Sequence, residues 1–557
     1  MRRFIITVIL CLSALESVAE QKILTVLPYP SEAVLGEGSF NISGAVVNYA
    51  AGLDEASLAV VKTFSTRLGV IPASVSEEAV SGINFLLDNS LSDESYTLDV
   101  SPQKVVVKAS SREGFFYAVQ TIRQLLPAEI YGTSAVQSDW TIPCLTISDT
   151  PRFSYRGMHL DVSRHFFSVD QVKKYIDILS IYKINRFHWH LTDDQGWRIE
   201  IKKYPNLTEI GSKREGTQIE KDFNRHDSIP YGGYYTQEQI KDIVKYADER
   251  CITIIPEIDL PGHMMGALAA YPELGCTGGP YKVWTQWGIS SQVICPAKED
   301  AMTFLKDVLD EVAELFPSEY IHIGGDECPV TEWKTNAECQ ELITKLGYVD
   351  EGKVTAERKL QFYVAKTLQD YMASKGRKVI VWQEVLAGIG GVNSDADVIP
   401  GFSKEDFSSK GGVLMSWTSK SAGIKAARKG IDVVMAPSFA CYFDCRQSDL
   451  TSEPLSSGSN GNRAVTVANC YDMDPSEGIP ADMQHHVLGA QGALWTEYIP
   501  TPEHLEYMLL PRLAALSEVN WTELENKDMG RLKTVLRTKH FGIYDALDFR
   551  YRAVIDF

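Results

Sequence analysis

From residue 155 to residue 495, the sequence repeats a single pattern. A short apolar run ends in polar or acidic residues, and a longer stretch with helical periodicity follows it. The runs are YRGMHLDVS (155–163), INRFHWHL (184–191), ITIIPEID (252–259), YIHIGGD (320–326), KVIVWQE (378–384), GVLMSW (412–417), IDVVMAP (431–437) and LGAQGALW (488–495). Buried parallel strands are continuous apolar runs, and eight of them separated by helices are typical of a (β/α)8 barrel. The pattern predicts an α/β fold with a (β/α)8 TIM barrel over residues 151–520.

The flanking segments have a different texture. Residues 20–150 predict a small α+β domain, because two alternating strands surround the turn SPQ (101–103) and a helix follows that ends before Pro127. Residues 521–557 predict C-terminal helices that close the barrel domain. A chain of 557 residues is long enough for a barrel and a second core.

The first residues indicate export. Arg2 and Arg3 precede a short apolar run that ends in SVA, so residues 1–19 predict a signal peptide and a secreted or periplasmic protein. The run is shorter than the roughly 20 apolar residues that span a bilayer, and we expect no stable membrane span. Cleavage after Ala19 removes two arginines and Glu16, one net positive charge, so the formal charge changes from −19 to −20. That charge disfavours nucleic acid as a partner.

Nine of the ten cysteines follow the predicted cleavage point, and an odd number cannot all pair within one chain. Cys276 and Cys295 flank a Gly-rich loop that a disulfide between them would close, and Cys441 and Cys445 form a second close pair. The sequence has no C-x-x-C spacing. Histidine partners are not adjacent to the cysteines either, and we therefore expect no metal site.

The octapeptide HIGGDECP, residues 322–329, places Asp326 and Glu327 directly after two glycines. In one interpretation, the GGDE letters form the metal-holding turn of a cyclase that joins two GTP molecules. In the other, the acids stand at the end of a buried strand and act directly on a substrate. Export and a negative charge both count against the nucleotide interpretation.

Carboxylates and indoles recur at the predicted strand ends. The candidate residues are Arg156, Asp161, His188, His190, Asp193, Asp194, Glu257, Asp259, His263, Asp326, Glu327, Trp382, Trp417, Tyr442, Asp444, Trp495 and Glu497. Barrel enzymes assemble their sites where strands exit into loops. Charged hydrogen bonds to hydroxyls and tryptophan faces against C–H groups suit a carbohydrate. A lone strand-end acid is usually a helix cap and a lone tryptophan is usually core, so the inference depends on the whole set. His188 and His190 alternate on a predicted strand, so we expect only one of them to face the lumen and the other to be structural.

Seven segments together resemble family 20 of the glycoside hydrolases, the β-N-acetylhexosaminidases. They are RGMHLDVSRHF, NRFHWHLTDDQGWRIE, PEIDLPGH, HIGGDE, VIVWQE, YFD and GALWTEY, in that order along the chain. The resemblance implies a cofactor-free exo-acting enzyme whose partner is a glycan with a terminal N-acetylhexosamine. It also implies that Glu327 is the general acid and base, and that Asp326 orients the 2-acetamido group of the substrate as it attacks the anomeric carbon.

The resemblance assigns the remaining site residues as well. Arg156, Asp444 and Glu497 are implied to clamp the hydroxyls of the terminal sugar. Tyr442 is implied to hydrogen-bond the acetamido oxygen. The implied aromatic pocket consists of Trp382, Trp417 and Trp495, and the implied supports of Glu327 are Asp193 and His263.

Two alternatives from other classes stay open. A catalytically silent glycan-binding protein would share the pocket, although it would have no need of Asp326, Glu327 and Tyr442 together. A metal-dependent hydrolase would use Asp326, Glu327 and His263 as ligands. Within the family itself, some relatives release disaccharides.

Overall fold

An open sheet precedes a closed barrel in the computed structural model, which describes residues 23–75, 78–132, 140–352, 354–387, 407–450, 452–457 and 464–554. The predicted signal peptide, residues 1–19, lies outside the described residues. Among the described helices, none is both long and apolar enough to cross a bilayer.

The first unit is a mixed sheet covered by two helices. Its strands are β1 (Glu32–Asn41), β2 (Val47–Ala50), β3 (Ala73–Val75), β4 (Gly82–Leu87), β5 (Tyr96–Val100), β6 (Lys104–Ala109) and β7 (Thr141–Asp149), in the order β1-β7-β5-β6-β4-β2-β3. Its helices are α1 (Glu55–Arg67) and α2 (Arg112–Leu125). Strands β5 and β6 form the predicted hairpin, and α2 ends before Pro127 as predicted, with Ser111 capping its first turn.

Eight parallel strands close into the barrel. In chain order they are β8 (Tyr155–Asp161), β9 (Arg186–His190), β16 (Thr253–Glu257), β17 (Tyr320–His322), β18 (Lys378–Trp382), β19 (Val413–Ser416), β20 (Asp432–Met435) and β21 (Val487–Gly492). Seven of them lie within the predicted runs, and β21 begins one residue before its run, at Val487. Strand β21 pairs with β8 to complete the closure. The predicted fold class is confirmed.

Short strand pairs and hairpins decorate the carboxyl end of the barrel. They are β10 (Thr192–Asp193) with β11 (Gly196–Trp197), β12 (Lys213–Arg214) with β15 (Tyr231–Gly232), and β13 (Gln218–Ile219) with β14 (Asp222–His226). The β13–β14 hairpin and the loop 275–298 lie over the strand ends, where Gln286 Nε2 donates to the Phe223 carbonyl at 2.7 Å.

Helices between the strands cover the outside of the barrel. They are α3 (Val169–Ile181), α4 (Asn206–Glu209), α5 (Gln237–Asp248), α6 (Met265–Ala270), α7 (Glu299–Leu315), α8 (Thr331–Thr335), α9 (Ala337–Leu346), α10 (Ala356–Ser374), α11 (Glu384–Ala387), α12 (Lys420–Arg428), α13 (Ser438–Cys441), α14 (Val467–Tyr471), α15 (Pro502–Leu509) and α16 (Arg512–Trp521). Helices α3 and α5 begin with capping boxes, at Ser168 with Gln171 and at Thr236 with Gln239, which satisfy their first backbone donors.

The last helical segments pack beneath the barrel. They are α17 (Met529–Val535), a π-helical turn (Leu536–His540) and α18 (Phe541–Ala546). His540 Nδ1 lies 2.9 Å from the Tyr182 hydroxyl, just after α3.

A buried ion pair ties the open sheet to the barrel floor. Lys183 Nζ lies 3.0 Å from Asp149 Oδ2, and both side chains are fully buried. The same carboxylate accepts bonds from the Tyr96 hydroxyl at 2.7 Å and from Trp521 Nε1 at 2.8 Å. A buried charge pair is tolerated when further hydrogen bonds satisfy it, as here.

Candidate active site

The turn after β17 explains the double glycine in HIGGDE. Gly324 and Gly325 have φ values of 59° and 96°, in the left-handed region that favours glycine. A Cβ at Gly324 would lie 1.8 Å from Asp259 Oδ1, and one at Gly325 would lie 2.3 Å from Val385 Cγ2. The turn therefore has room for glycine alone, and it delivers Asp326 and Glu327 to the rim of the barrel.

A cavity of about 390 Å³ opens at this rim. Its wall consists of Arg164, Lys221, Phe223, Trp287, Gly288, Ile289, Asp326, Glu327, Trp417, Tyr442, Asp444, Ser457, Trp495, Glu497 and Tyr498. A larger cavity of about 1010 Å³ lies between α1, α2 and the barrel helices, but its lining includes none of the strand-end acids. Chemistry rather than size therefore identifies the smaller cavity as the candidate site.

Glu327 faces a charged support on its barrel side. His263 Nε2 lies 3.8 Å from Glu327 Oε2, and His263 Nδ1 lies 3.1 Å from Asp193 Oδ1. Burial, and secondarily the neighbouring Asp326, raise the pKa of Glu327 above its ordinary value. Burial alone would lower the pKa of His263, but Asp193 raises it well above the ordinary value. The arrangement favours a protonated Glu327 carboxyl in a fixed orientation.

Asp326 stands beside a hydroxyl and an indole. The Tyr442 ring stacks on Trp417 at 5.9 Å between ring centroids, and Trp417 Nε1 donates to Glu384 Oε1 at 2.8 Å. Burial, followed by Asp444 and Asp326, raises the pKa of Tyr442 well above its ordinary value, so its hydroxyl keeps its proton. Asp326 Oδ1 is buried and has no partner among the described residues. An acceptor and a donor are thus available to one polar group of a ligand.

Two further carboxylates approach from the ends of β20 and β21. Asp444 Oδ1 and Glu497 Oε2 are buried and have no partner in the described part of the chain. Burial and the nearby Glu497 raise the pKa of Asp444 to about 7, and burial raises the pKa of Glu497. Such acceptors suit the hydroxyl groups of a neutral ligand.

Arg164 is the buried cation of this wall, which also includes the exposed Lys221. Its Nη1 lies 3.1 Å from Asp161 Oδ2 and 3.8 Å from Glu497 Oε1, and its Nη2 lies 2.9 Å from Asp193 Oδ2. Sequence reasoning missed Arg164, although it lies in the quoted segment RGMHLDVSRHF. Its position three residues after the end of β8 is the signal that could have found it, because barrel sites form at the carboxyl ends of strands.

The prediction that Arg156 contacts the terminal sugar is wrong. Arg156 is the second residue of β8, at the amino end of the strand, and its guanidinium is 1% exposed. It donates to both oxygens of Glu94, at 2.6 and 3.0 Å, and to the Tyr117 hydroxyl at 2.9 Å. Arg156 therefore ties the barrel floor to the open sheet, on the face opposite to the acids.

The histidines of β9 also differ from expectation. His188 and His190 both face the barrel interior and both contact Glu257, because residues two apart on a strand point to the same side. Trp382 lies one layer below the cavity, 1% exposed, with Nε1 2.8 Å from Glu257 Oε1. Trp417 and Trp495 line the cavity itself.

Among the described residues, Cys276, Cys295, Cys339 and Cys441 are free thiols. Cys295 Sγ lies 3.6 Å from Cys339 Sγ, and the Cys276 sulfur lies within 4.8 Å of both. The structure thus adds Cys339 to the pair that flanks the 276–295 loop. This contact joins residues 44 apart in the chain, so spacing could not have found it.

A (β/α)8 barrel with paired acids, supporting charges and aromatic walls at its carboxyl face defines the class, a carbohydrate-processing barrel enzyme. The family model described as "Glycosyl hydrolase family 20, catalytic domain" matches residues 153–524. The family model described as "Glycosyl hydrolase family 20, domain 2" matches residues 24–150. The chain belongs to glycosyl hydrolase family 20.

Known relatives agree with this assignment. The chain is 44% identical over 440 residues to a β-hexosaminidase of Porphyromonas gingivalis, a match that covers 79% of this chain and 52% of that protein. The chain therefore spans about half the length of that relative. It is similar to the exo β-N-acetylglucosaminidase of Vibrio harveyi in complex with N-acetylglucosamine, with a TM-score of 0.79, 33% identity, and coverage of 95% and 78%. It is also similar to the β-N-acetylhexosaminidase of Streptomyces coelicolor, with a TM-score of 0.78, 30% identity, and coverage of 95% and 98%.

The two arginines of RGMHLDVSRHF should separate activity from stability. Arg164→Gln should lower kcat/KM for an aryl N-acetylglucosaminide by about 10- to 100-fold, since a charged hydrogen bond contributes about 1.5–3 kcal/mol. Arg156→Gln, the matched control, should retain the kcat/KM of the folded enzyme but lower the free energy of unfolding by about 3 kcal/mol, because Glu94 loses its partner. Steady-state kinetics and urea unfolding measure both effects. A larger activity loss in Arg156→Gln than in Arg164→Gln would contradict the placement.

Proposed function

We propose that the protein is an exo-acting, retaining β-N-acetylhexosaminidase that removes terminal β-linked N-acetylglucosamine or N-acetylgalactosamine from glycans. The observation that carries the proposal is the convergence of Glu327, Asp326 and Tyr442 on one cavity, beside two carboxylate oxygens, Asp444 Oδ1 and Glu497 Oε2, that have no partner among the described residues. The relatives named β-hexosaminidase, and the solved Vibrio harveyi relative that holds N-acetylglucosamine, support the same substrate class.

Glu327 supplies the proton for the leaving group. Its carboxyl keeps a proton because burial and Asp326 raise its pKa, against the opposing charge of His263, whose Nε2 lies 3.8 Å away. As the bond between the anomeric carbon and the glycosidic oxygen breaks, that oxygen takes the proton and departs as an alcohol. Glu327 is then a carboxylate, and it can remove a proton from the water that enters next.

The nucleophile of the first step belongs to the substrate. The 2-acetamido carbonyl oxygen attacks the anomeric carbon and closes an oxazolinium ring, while Asp326 accepts the amide N–H and the Tyr442 hydroxyl donates to the carbonyl oxygen. Water then attacks the anomeric carbon, the bond to the acetamido oxygen breaks, and the proton of the water passes to Glu327. Two inversions leave the released sugar in its original β configuration. This scheme is an exception to the usual pair of enzyme carboxylates in retaining glycosidases.

Exo action follows from the wall opposite the acids. Arg164, Asp444 and Glu497 present charged groups to a single ring, and their buried acceptors need hydroxyl donors. A continuing sugar chain would replace a hydroxyl with a bulky substituent at this wall. The cavity therefore takes the non-reducing terminal residue.

The effect of Glu327→Gln should depend on the leaving group if Glu327 donates the proton. With a poor leaving group, kcat/KM should fall by about two to four orders of magnitude, because general acid catalysis is lost. With a dinitrophenyl leaving group, which departs without a proton, the loss should be much smaller. Asp444→Asn is the control, since it alters a sugar contact and should lose the same factor with both substrates. Equal losses for Glu327→Gln on both substrates would remove it from the acid role.

The acetamido group should be indispensable. A β-glucoside with the same leaving group should be almost inert, because an oriented intramolecular nucleophile can supply about 7–11 kcal/mol of the barrier.

Asp326→Asn should lower kcat without unfolding the protein, and a thiazoline analogue of the oxazoline should bind far more tightly than the released sugar. Early-turnover NMR should show the β anomer first. An α anomer first, or a sugar trapped covalently on a protein carboxylate, would overturn the mechanism, and no sugar release at all would favour a silent binding protein.

We further propose that the enzyme acts outside the cytoplasm, on the basis of the arginine-led apolar run in residues 1–19. Expression of the full chain in its source cells should give a mature protein that begins at Glu20, found in the periplasmic or secreted fraction. Ala19→Leu should block cleavage while leaving the enzyme active. N-terminal mass spectrometry measures both results, and an uncleaved, active cytoplasmic protein would contradict export.

A further inference from the structure

A buried carboxylate occupies the barrel interior below the cavity. Glu257 is the last residue of β16 and is fully buried. Its Oε2 contacts His190 Nδ1 and lies 3.1 Å from His188 Nε2, while its Oε1 lies 3.0 Å from His322 Nδ1 and 2.8 Å from Trp382 Nε1. A charge in this place is costly unless it is compensated. Glu257 does not line the cavity, so substrate contact does not explain its presence.

His190 connects this carboxylate to the site. Its Nδ1 contacts Glu257 Oε2, and its Nε2 lies 2.9 Å from Asp193 Oδ2. An imidazole whose two nitrogens both face carboxylate oxygens must donate from both, which requires the protonated ring. Burial opposes the charge, but Glu257 and Asp193 raise the pKa of His190 well above its ordinary value.

The contacts continue without a break to the proposed acid. Asp193 Oδ1 lies 3.1 Å from His263 Nδ1, and His263 Nε2 lies 3.8 Å from Glu327 Oε2. The order Glu257, His190, Asp193, His263, Glu327 alternates acid and base from the barrel core to the rim. Asp193 has only two oxygens, and His190 and Arg164 share the one that points away from His263. His190 therefore restricts the rotation of the carboxylate that holds His263.

We propose that His190 and Glu257 are positioning residues of the reaction: the charged His190–Glu257 pair orients Asp193 and, through His263, fixes the direction and the charge surroundings of the Glu327 carboxyl. This inference rests on the proposed function. It adds two residues that touch neither the sugar nor the acid, and it gives the carboxylate buried in the barrel a role in catalysis.

Other charged groups near Glu327 and His190 also influence how activity depends on pH. Around Glu327 they are Asp326, His263, Arg164, Asp193 and Glu384. Around His190 they are Glu257, Asp193, His159 and Asp259, and Glu257 also faces His188 and His322. Substitution at either His190 or Glu257 removes none of the other charged groups named here. A change in the pKa of Glu327 therefore reports the charge that was substituted.

Single substitutions should shift the titration in opposite directions. His190→Gln removes a positive charge below Glu327, so the alkaline limb of kcat/KM, where Glu327 loses its proton, should move to higher pH. Glu257→Gln removes a negative charge and should move the limb to lower pH, each by about half a pH unit or more. The double variant replaces a neutral pair with a neutral pair and should return the limb toward its wild-type position. A merely structural role would not produce shifts of opposite sign.

The substitution His190→Gln should affect kcat much more than KM. His190→Gln should lower kcat by about 10- to 100-fold, since small displacements of a catalytic group have effects of that size. KM for an aryl N-acetylglucosaminide should change little, because His190 does not line the cavity. His188→Gln is the matched control on the same strand. It also alters a ring beside Glu257, but it breaks no link to Asp193 and should keep most of the activity.

Thermal unfolding and near-ultraviolet circular dichroism confirm that each variant is folded. If His190→Gln does not fold, Glu257→Gln and the double variant carry the comparison. Wild-type kcat and an unmoved pH limb in folded variants, or equal losses in His188→Gln and His190→Gln, would overturn the positioning role. A wild-type enzyme without any N-acetylhexosaminidase activity would instead overturn the proposed function, so the two failures are distinguishable.

Discussion

The close approach between Gly324 and Asp259 constrains the whole active face. A side chain at Gly324 would overlap Asp259 Oδ1, and the left-handed turn that follows lets the Gly325 amide donate to that same oxygen at 3.0 Å. The loop carrying the two acids is thereby tied to the end of the neighbouring strand β16. Asp326 turns toward Tyr442 and Glu327 toward His263, which is how adjacent residues come to serve different groups of one substrate.

Electrostatics then decides what the cavity can take. Burial raises the pKa of Glu327, Glu497 and Asp444, the last to about 7, so the wall offers a mixture of carboxyl and carboxylate groups near neutral pH. Arg164 and His263 compensate part of the negative charge. Binding of an anionic ligand against this wall would cost free energy through charge repulsion. The hydroxyl groups of a neutral sugar can instead donate to the carboxylate oxygens that have no partner in the described residues.

Much of this fold could be predicted from the sequence, because the barrel strands lie in short, mainly apolar runs that end in polar residues. Asp326 and Glu327 could be predicted for the same reason, since they follow strand β17 after the short turn 323–325. Arg156 was assigned wrongly because RGMHLDVSRHF contains two arginines, and the end of the strand at which each lies decides its role. Glu94, the partner that holds Arg156, comes from another unit of the chain, and no local pattern announces it.

The network around Glu257 was equally hidden. Its partners come from β9, β17 and β18, and only the closed barrel brings them to one point. That His188 and His190 share a face could have been predicted, since residues two apart on a strand point to the same side. What the sequence could not supply is which of them reaches Asp193, because that contact depends on the turn into β10.

A crystal structure of the protein soaked with N-acetylglucosamine would test the account most directly. The account predicts the sugar in the 390 Å³ cavity, with its acetamido group between Asp326 and Tyr442 and its hydroxyls on Arg164, Asp444 and Glu497. The Glu327 carboxyl should lie within hydrogen-bond distance of the anomeric hydroxyl. A sugar bound in the larger cavity beside α1 and α2, or an acetamido group directed away from Asp326, would contradict it.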